Sequence, residues 1–443
     1  MAGITRRVGA WVRPPGRRHL TVFAALTGAS QTEALLSVLG SVVLVRAEGA
    51  ETAGRVFFAQ AAAALWFTFA DPKLDDAIQR FVPQEQAAGR GRGSALFDRL
   101  LRLDALAGSA GTAAGMLGTL FAAGAGWLDA GQAWLLLLAL AAAGAAAPLG
   151  TIGAGFAVAG DLRRLGVLRF ATAAVSFALS VGALLAAGPT AYLAAAAVAA
   201  AASTWLLAGA ARRAVRDALG PPAEGPVGTP PRMWGFAAKS MAAASAAMLS
   251  ERGLLVLAGA LAGPYLVTYL KIAGAPGRLY HTFVTTASAQ LHPRLAAAAV
   301  AGDGAAIRRD TLRVSVLLTG LGAVTMLAGA ALTAPAITIV YGPAYAWLAG
   351  PTVILLGAAC LHGAVVWAKV LAPALGRPGI RLCHVLAEGA LTLAVLALAC
   401  RYGGAPERIP AVYAWGAVAI SLARVGSWLA VLRVFTAKGR IVV

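Results

Sequence analysis

The chain has 443 residues, of which 59% are apolar and only 12% are charged. Folded proteins keep Lys, Arg, Asp and Glu on the outside, so this few charged side chains could not cover a soluble globule of this size. The composition therefore excludes a soluble enzyme, a disordered protein and a secreted disulfide scaffold. Because a bilayer-spanning helix takes about 20 apolar residues, the composition predicts an all-α polytopic membrane protein.

The formal net charge of +19 comes from 37 Lys and Arg against 18 Asp and Glu. In a soluble domain such an excess would suggest nucleic-acid binding. A membrane protein instead concentrates basic residues in its cytoplasmic loops, so we expect membrane lipids as partners and no nucleic acid. The cysteines lie in apolar stretches without metal or redox spacing and are expected to be small packing residues: Cys360, Cys383 and Cys400.

Hydropathy in chain order predicts about twelve transmembrane helices, with both termini on the cytoplasmic side. We place them near residues 20–44, 54–79, 103–127, 133–158, 166–188, 190–211, 236–258, 264–289, 313–337, 351–374, 381–400 and 411–434. Asp71-Pro72-Lys73 interrupts the second span, and Gly188-Pro189 separates the fifth from the sixth. In this topology about 28 basic residues fall in inward segments and four in outward loops, which predicts the orientation.

The chain divides into two predicted lobes of six helices each. A basic, Pro-rich stretch at 212–235 reads as a cytoplasmic linker between an N-lobe at 1–211 and a C-lobe at 236–443. The halves share features in the same order, with offsets of 218, 210 and 211 residues: Glu33 and Glu251, Pro83 and Pro293, and Arg102 and Arg313. Two six-helix lobes of equal orientation are related by a pseudo-two-fold axis along the membrane normal, which is a known transporter arrangement.

Several short motifs together carry a family resemblance. In the first half they are the stretch from Gly54 to Arg80-Phe81, the Gly-Arg-Gly-Arg loop at 89–92, and Leu101-Arg102. In the second half they are Glu251-Arg252, Gly263-Pro264-Tyr265 through Tyr269, Pro293-Arg294-Leu295 before Gly302-Asp303, the turn at 341–345, and Leu375-Gly376-Arg377. The pattern resembles polysaccharide-biosynthesis flippases of the multidrug/oligosaccharidyl-lipid/polysaccharide exporter superfamily, which has a MATE-like fold. One departure is the segment 71–76, which is charged where such flippases are usually small and neutral.

The resemblance implies a function in transport and not in catalysis. The expected activity is transfer of a polyprenyl-diphosphate-linked oligosaccharide across a bacterial plasma membrane by alternating access of the two lobes. The expected partners are the lipid-linked saccharide and membrane lipids, with a polysaccharide polymerase or glycosyltransferases as partner enzymes, and the chain is expected to be a monomer. No cofactor is expected, and the sequence contains no Walker-type loop for ATP hydrolysis.

Five basic residues fall at predicted membrane depth and are the candidate substrate-binding residues: Arg252, Lys271, Arg278, Lys369 and Arg424. Each costs about 2.5–3.5 kcal/mol at a helix centre, so such residues should face a wet cavity or a partner. Lys271 and Arg278 are two helical turns apart and share one helix face. Because guanidinium groups bind phosphate through paired hydrogen bonds, these cations favour an anionic substrate such as a diphosphate.

Structural roles remain open for the same cations. Arg252 could pair with the adjacent Glu251, and Lys271 could extend to the outer interface. Lys369 or Arg424 could form a structural link to Glu388.

Five acidic residues are candidates for ion coupling or for the lobe interface: Glu33, Glu251, Glu388, Asp71 and Asp75. Because Glu33 and Glu251 occupy corresponding positions in the two predicted lobes, a shared role at the interface between the lobes is favoured. Asp71 and Asp75, with Asp76, could instead form a solvated cytoplasmic helix end. The histidines have no metal-ligand spacing, so packing or interface roles are expected for them and no metal site is predicted: His19, His281, His292, His362 and His384.

Two other functions compete with the flippase. A MATE-type drug/cation antiporter would share the fold but would favour an acidic or aromatic cavity, which the buried cations oppose. A membrane-embedded polyprenyl-sugar glycosyltransferase would need carboxylates in the first outer loop, where Glu48 and Glu51 lie. Such an enzyme also needs large outer loops, and the predicted topology contains none.

Overall fold

The structure is a computed structural model that describes residues 17–224, 228–375 and 377–435. Nearly all of this part of the chain is helical, and it contains no β-strand, which confirms the predicted all-α polytopic fold. The helices are α1 (Arg17–Ala70), α2 (Asp75–Ala88), α3 (Arg92–Gly124), α4 (Ala130–Ala146), α5 (Leu149–Ala159), α6 (Leu162–Leu219), α7 (Met233–Ala273), α8 (Ala275–Val300), α9 (Gly304–Val340), α10 (Ala349–Ala364), α11 (Ala368–Ala374), α12 (Pro378–Tyr402) and α13 (Ile409–Phe435). A short 3₁₀ helix, Pro343–Leu348, precedes α10.

Three of the longest helices are each divided by a glycine with positive φ. At 1.5 Å per residue, a straight 58-residue α6 would be about 87 Å long, nearly three times the hydrocarbon thickness of a bilayer. Gly188 in α6, Gly49 in α1 and Gly263 in α7 have φ values of 79°, 77° and 80° and break these helices. Left-handed backbone at these points suits glycine, which has no Cβ to clash. The predicted separation of the fifth and sixth spans at Gly188 is confirmed.

The described residues contain eight helical stretches that are long and apolar enough to cross a membrane. One of the eight is α6, which its break divides into two predicted spans. The remaining predicted spans fall in α1 and in the segments on either side of Gly263. The chain is therefore a multi-pass membrane protein.

The break between α1 and α2 has a direct physical cause. Pro72 has no N–H, so it cannot donate the helical hydrogen bond to the carbonyl of Thr68. Ser245 of α7 supplies the missing donor, with its Oγ 2.6 Å from the Thr68 oxygen. The interrupted helix of the first half is thus stabilised by a side chain of the second half.

The two halves also pack closely at the end predicted to be extracellular. A Cβ added to Gly54 would lie 1.9 Å from the carbonyl oxygen of Pro264, so only glycine fits at this contact. Beside it, the Thr268 hydroxyl donates a hydrogen bond of 2.7 Å to the carbonyl of Ala50. The halves are therefore in direct backbone contact at this end.

Part of the predicted linker at 212–235 is helical. Helix α6 runs on to Leu219, and α7 begins at Met233. The first turns of α7 also pack into a hydrophobic cluster of the first half, where Met233 and Ala237 are buried. The boundaries of the two predicted lobes remain a prediction.

Candidate functional site

Three of the predicted substrate-binding cations lie on α7 and α8, which pack against α1. Lys271 is partly buried, and its ammonium is 4.9 Å from the centre of the Phe57 ring, which belongs to the first half. Arg252 and Arg278 are also partly buried. Arg252, Lys271 and Arg278 form no ion pair with a carboxylate of the described residues. The structure therefore places three positive charges near the contact between the halves with no carboxylate at ion-pair distance, and Glu251 is the carboxylate whose charge acts on Lys271 and Arg278 from farther away.

Arg278 also has a structural role that its sequence position did not reveal. Gly274 separates α7 from α8, and carbonyls at such a helix end lack helical donors. The Arg278 guanidinium donates a hydrogen bond of 2.6 Å to the carbonyl of Lys271 and so caps this end.

The other two predicted cations, Lys369 and Arg424, lie elsewhere in the second half. Arg424 of α13 forms an ion pair with Glu388 of α12, and their side chains are 14% and 23% exposed. This is the structural link to Glu388 that the sequence left open. Lys369, by contrast, is exposed and pairs with no carboxylate in the described ranges.

The Glu388–Arg424 pair extends to two histidines that sequence reasoning assigned to packing. His362 Nδ1 lies 3.5 Å from the second Glu388 oxygen, and the His281 and His362 rings stack edge to face with centres 5.3 Å apart. These residues come from four helices, so no sequence spacing could have indicated the cluster. The sequence indicated only that Glu388, an acidic residue at membrane depth, required a cationic partner.

The two glutamates at matching positions of the halves have different environments. Glu33 forms a bidentate ion pair with Arg169, in which Arg169 Nε lies 2.8 Å from Glu33 Oε1. Arg169 belongs to α6 in the same half, so this pair joins two helices of one half and not the two halves. Glu251 is exposed and forms no ion pair among the described residues. A shared role of Glu33 and Glu251 at the interface of the halves stays a prediction.

Asp71 and Asp75 line a cavity of about 310 Å³ in the half of the bundle predicted to be cytoplasmic. Asp71 accepts a hydrogen bond of 2.9 Å from the Lys73 amide and pairs with the Lys73 ammonium. Arg252 reaches the same cavity from the second half. The cavity therefore places charges of opposite sign on its two walls.

Two further polar residues on this cavity were not predicted. Asp104 of α3 and Thr151 of α5 are each only 1% exposed. Asp104 Oδ1 and Thr151 Oγ1 are fully buried, and the two side chains lie beside each other on the cavity wall. Asp104 lies in the predicted third span, where a single carboxylate between apolar residues was the available signal.

Within the residues that the structure describes, no group of three or more His, Cys, Asp or Glu is arranged to hold a metal ion. The cysteines differ from the expectation in one case: Cys360 is buried and Cys400 is partly buried, but Cys383 is exposed. An exposed cysteine on a spanning helix is compatible with lipid contact, because a thiol is a small, weakly polar group.

Comparison with solved structures identifies the fold. A crystal structure of a MATE transporter in complex with MaL6 matches with a TM-score of 0.69 at 10% identity, covering 94% of this chain and 96% of the other. The chain has the MATE transporter fold. A mutant of the Vibrio cholerae MATE transporter VcmN matches at 0.60 and 15% identity, over 93% and 98% of the two chains.

A third match is a MOP superfamily transporter from Pyrococcus furiosus, with a TM-score of 0.61 and 12% identity over 93% of this chain and 95% of the other. It is described as having a binding pocket of reverse polarity, which suggests a different function for that transporter. No protein-family model and no curated protein matches the chain. At these identities the solved structures establish the fold alone.

Proposed function

We propose that this protein is a flippase that moves a polyprenyl-diphosphate-linked oligosaccharide across a bacterial plasma membrane, with both termini in the cytoplasm. The observation that carries the proposal is the set of three partly buried cations, Arg252, Lys271 and Arg278, that pair with no carboxylate in the described part of the chain. An uncompensated charge at membrane depth is costly, so these cations require an anion or water. A diphosphate supplies both the charge and the acceptor oxygens.

The arrangement of the charges suits a substrate that is anionic at one end only. Arg252 lies on a cavity at the cytoplasmic side, whereas Lys271 and Arg278 continue the positive charge along α7 and α8. A lipid-linked saccharide has a charged diphosphate between a polar glycan and an apolar tail. The diphosphate would follow the cations while the tail stays in lipid.

The packing of the halves supports loading from the cytoplasmic side. Gly54 and Pro264 close the predicted extracellular end by backbone contact, whereas the cavity lies at the opposite end. We expect transport to proceed by alternating access, in which this contact opens after the substrate has bound. Lipid-linked saccharides are delivered and consumed by membrane enzymes, so a polysaccharide polymerase or glycosyltransferases are the proposed partners.

The main alternative is a drug/cation antiporter, because the solved structures of this fold include multidrug MATE transporters. Cationic drugs would be repelled by unpaired Arg252 and Lys271. The Pyrococcus furiosus transporter, with its pocket of reverse polarity, is a precedent for a different function on the same fold. Substrate charge is therefore the property that separates the two functions.

The test uses purified protein in liposomes that contain a fluorescent polyprenyl-diphosphate sugar. The fraction of label protected from an external quencher is followed over time. We expect the protein to accelerate exchange between leaflets and Arg252→Ala to slow it by about 10- to 100-fold, because hydrogen bonds to charged groups contribute about 1.5–3 kcal/mol. Arg252→Lys should retain part of the rate, since it keeps the charge but loses the paired hydrogen bonds.

The matched control is Arg164→Ala, which removes an equal charge from an exposed residue whose nearest carboxylate, Asp161, is 3.9 Å away. This variant should transport like the wild type. If Arg252→Ala and Arg164→Ala behave alike, the cationic path is wrong. If the wild type leaves the rate at that of empty liposomes with several sugars and an imposed ion gradient, but exports a cationic dye, the antiporter is correct instead.

A further inference from the structure

The two candidate cations that lie away from the contact between the halves, Lys369 and Arg424, share their surroundings with a third basic residue, Arg381. Lys369 lies in the first turn of α11, Arg381 in the first turn of α12, and Arg424 in α13. The charge of Arg381 acts on Lys369, and the charge of Arg424 acts on Arg381. Three helices therefore bring these side chains into one group, which we call the basic cluster.

The packing of α12 against α13 fixes the place of Arg381 in this cluster. Three contacts in step connect one face of α12 with the antiparallel α13: Arg377 to Phe435, His384 to Trp428, and Glu388 to Arg424. Arg381 lies about one turn from both Arg377 and His384, so it belongs to the same face. The register places apolar Val431 opposite Arg381, and α13 therefore offers no acidic partner at this level.

The basic cluster carries more positive charge than its own carboxylate balances. Glu388 is paired with Arg424 and lies 3.5 Å from His362 Nδ1. Lys369 and Arg381 form no ion pair with a carboxylate in the described part of the chain, and their electrostatic neighbours are arginines. Two positive charges are therefore left for an external anion or for water.

The cluster lies at the edge of the bundle, near the end predicted to be cytoplasmic. Arg381 is the fourth residue of α12, about 5 Å along the helix axis from Pro378, where the helix begins. Lys369 is exposed and Arg381 is partly buried. Cys383 and Leu386, close to Arg381 on α12, are also exposed, as is usual for side chains of a spanning helix that contact lipid. The basic cluster is therefore accessible from the region of the lipid head groups.

We propose that the basic cluster binds a phosphate group, carried by an anionic lipid or free in the cytoplasm, through Lys369, Arg381 and Arg424. A guanidinium binds phosphate oxygens through paired hydrogen bonds, and an ammonium adds a compact positive charge. Basic pockets between transmembrane helices on the cytoplasmic side suit phosphate head groups for this reason. The site uses other helices than Arg252, Lys271 and Arg278, so it goes beyond the proposed transport function.

The first arm of the experiment measures lipid binding to the purified full-length protein in detergent. Phosphatidylglycerol or phosphatidylcholine with the same acyl chains is added, and native mass spectrometry gives the dissociation constant of the first bound lipid. We expect the wild type to bind phosphatidylglycerol at least about tenfold more tightly. Arg381→Gln should weaken this binding by about 10- to 100-fold, and Lys369→Gln by a similar factor, because each removes a charged partner of the phosphate.

The second arm separates a lipid head group from a free anion. Sodium phosphate replaces sodium chloride at constant ionic strength, and the unfolding temperature is recorded without added lipid. A ligand that binds only the folded state raises this temperature. If the site accepts free phosphate, the unfolding temperature of the wild type rises and that of Arg381→Gln does not. If only phosphatidylglycerol has this effect, the ligand is the lipid. Neither arm involves a polyprenyl substrate or transport, so both are independent of the flippase proposal.

The matched control is Arg433→Gln, which removes an exposed basic residue from the last turn of α13, at the same end of the bundle. General attraction to an anionic lipid contributes about a fivefold change for one such residue, so a larger loss marks a specific site. Because Lys369 is exposed, Lys369→Gln tests the site even if Arg381→Gln does not fold. The proposal is overturned if the wild type neither prefers phosphatidylglycerol nor responds to phosphate. It is also overturned if the Lys369 and Arg381 variants lose no more affinity than Arg433→Gln does.

Discussion

The contact between Gly54 and Pro264 predicts that one methyl group will change the conformational equilibrium of the protein. In Gly54→Ala the new Cβ would lie 1.9 Å from the Pro264 oxygen and 2.5 Å from its carbonyl carbon. Both are backbone atoms, so no side-chain rotation relieves the clash. A real Cβ contact needs more than 3.0 Å, and the two helices must therefore separate by more than about 1 Å.

The size of the effect follows from the contacts at this end. Overpacking of this kind costs about 1–3 kcal/mol, and the cost exists only while the end is closed. Separation also breaks the hydrogen bond of 3.0 Å from the Tyr265 hydroxyl to Glu51 and that from Thr268 to Ala50. We expect Gly54→Ala to increase the population in which this end is open by roughly 5- to 150-fold relative to the population in which it is closed, at about 1.4 kcal/mol per tenfold.

Spin labels at Ala47 and Leu261, both exposed, would report this change. The labels are attached to introduced cysteines after the three native cysteines have been replaced by alanine. Pulsed electron resonance should show a longer distance population in Gly54→Ala that is minor in the parent. The control is Gly182→Ala, because a Cβ added there meets no atom within 4 Å. An unchanged distance distribution in Gly54→Ala, with the protein folded, would refute the reasoning.

Two further predictions concern stability. Ser245→Ala leaves the buried Thr68 carbonyl without a hydrogen-bond donor and should destabilise the fold by about 1–3 kcal/mol in a thermal unfolding assay. In the same assay Ser109→Ala, which removes an exposed hydroxyl, should have little effect. Arg424→Met should cost about 3–5 kcal/mol because it removes the arginine partner of Glu388 and leaves that carboxylate with only His362 beside it. The double variant Glu388→Leu/Arg424→Met should recover most of that loss. A double variant as unstable as the single one would contradict this account of the pair.

Much of the fold could be predicted from sequence because it depends on local signals. Apolar stretches of membrane-spanning length gave most of the helices, and Gly188-Pro189 marked a helix break that the structure contains. The break at Pro72 was also visible, since proline removes a backbone donor whatever surrounds it. The extension of α6 to Leu219 was not predicted, because basic residues there suggested a linker although Arg is a good helix former.

The site was less predictable because it is assembled from distant parts of the chain. Charge at membrane depth identified Arg252 and Lys271 as candidates, but nothing local showed that Arg278 caps the end of α7. His281 and His362 are 81 positions apart and meet only in three dimensions. Asp104 was overlooked because a single acid near a predicted helix end resembles a solvated residue until its burial is known.

The sequence correspondence between the two halves does not predict the electrostatic environment of the matching residues. Glu33 and Glu251 occupy matching places in the sequence, yet Glu33 is paired with Arg169 while Glu251 is exposed next to an unpaired Arg252. The first half therefore presents excess acid at the cavity, and the second half presents excess base. If substrate recognition depends on this difference, exchanging charge across the cavity by Asp104→Arg with Arg252→Asp should not restore anion transport, because the positive charge would then lie away from Lys271 and Arg278. A double variant that transports the diphosphate substrate normally would show that only the net charge of the cavity matters.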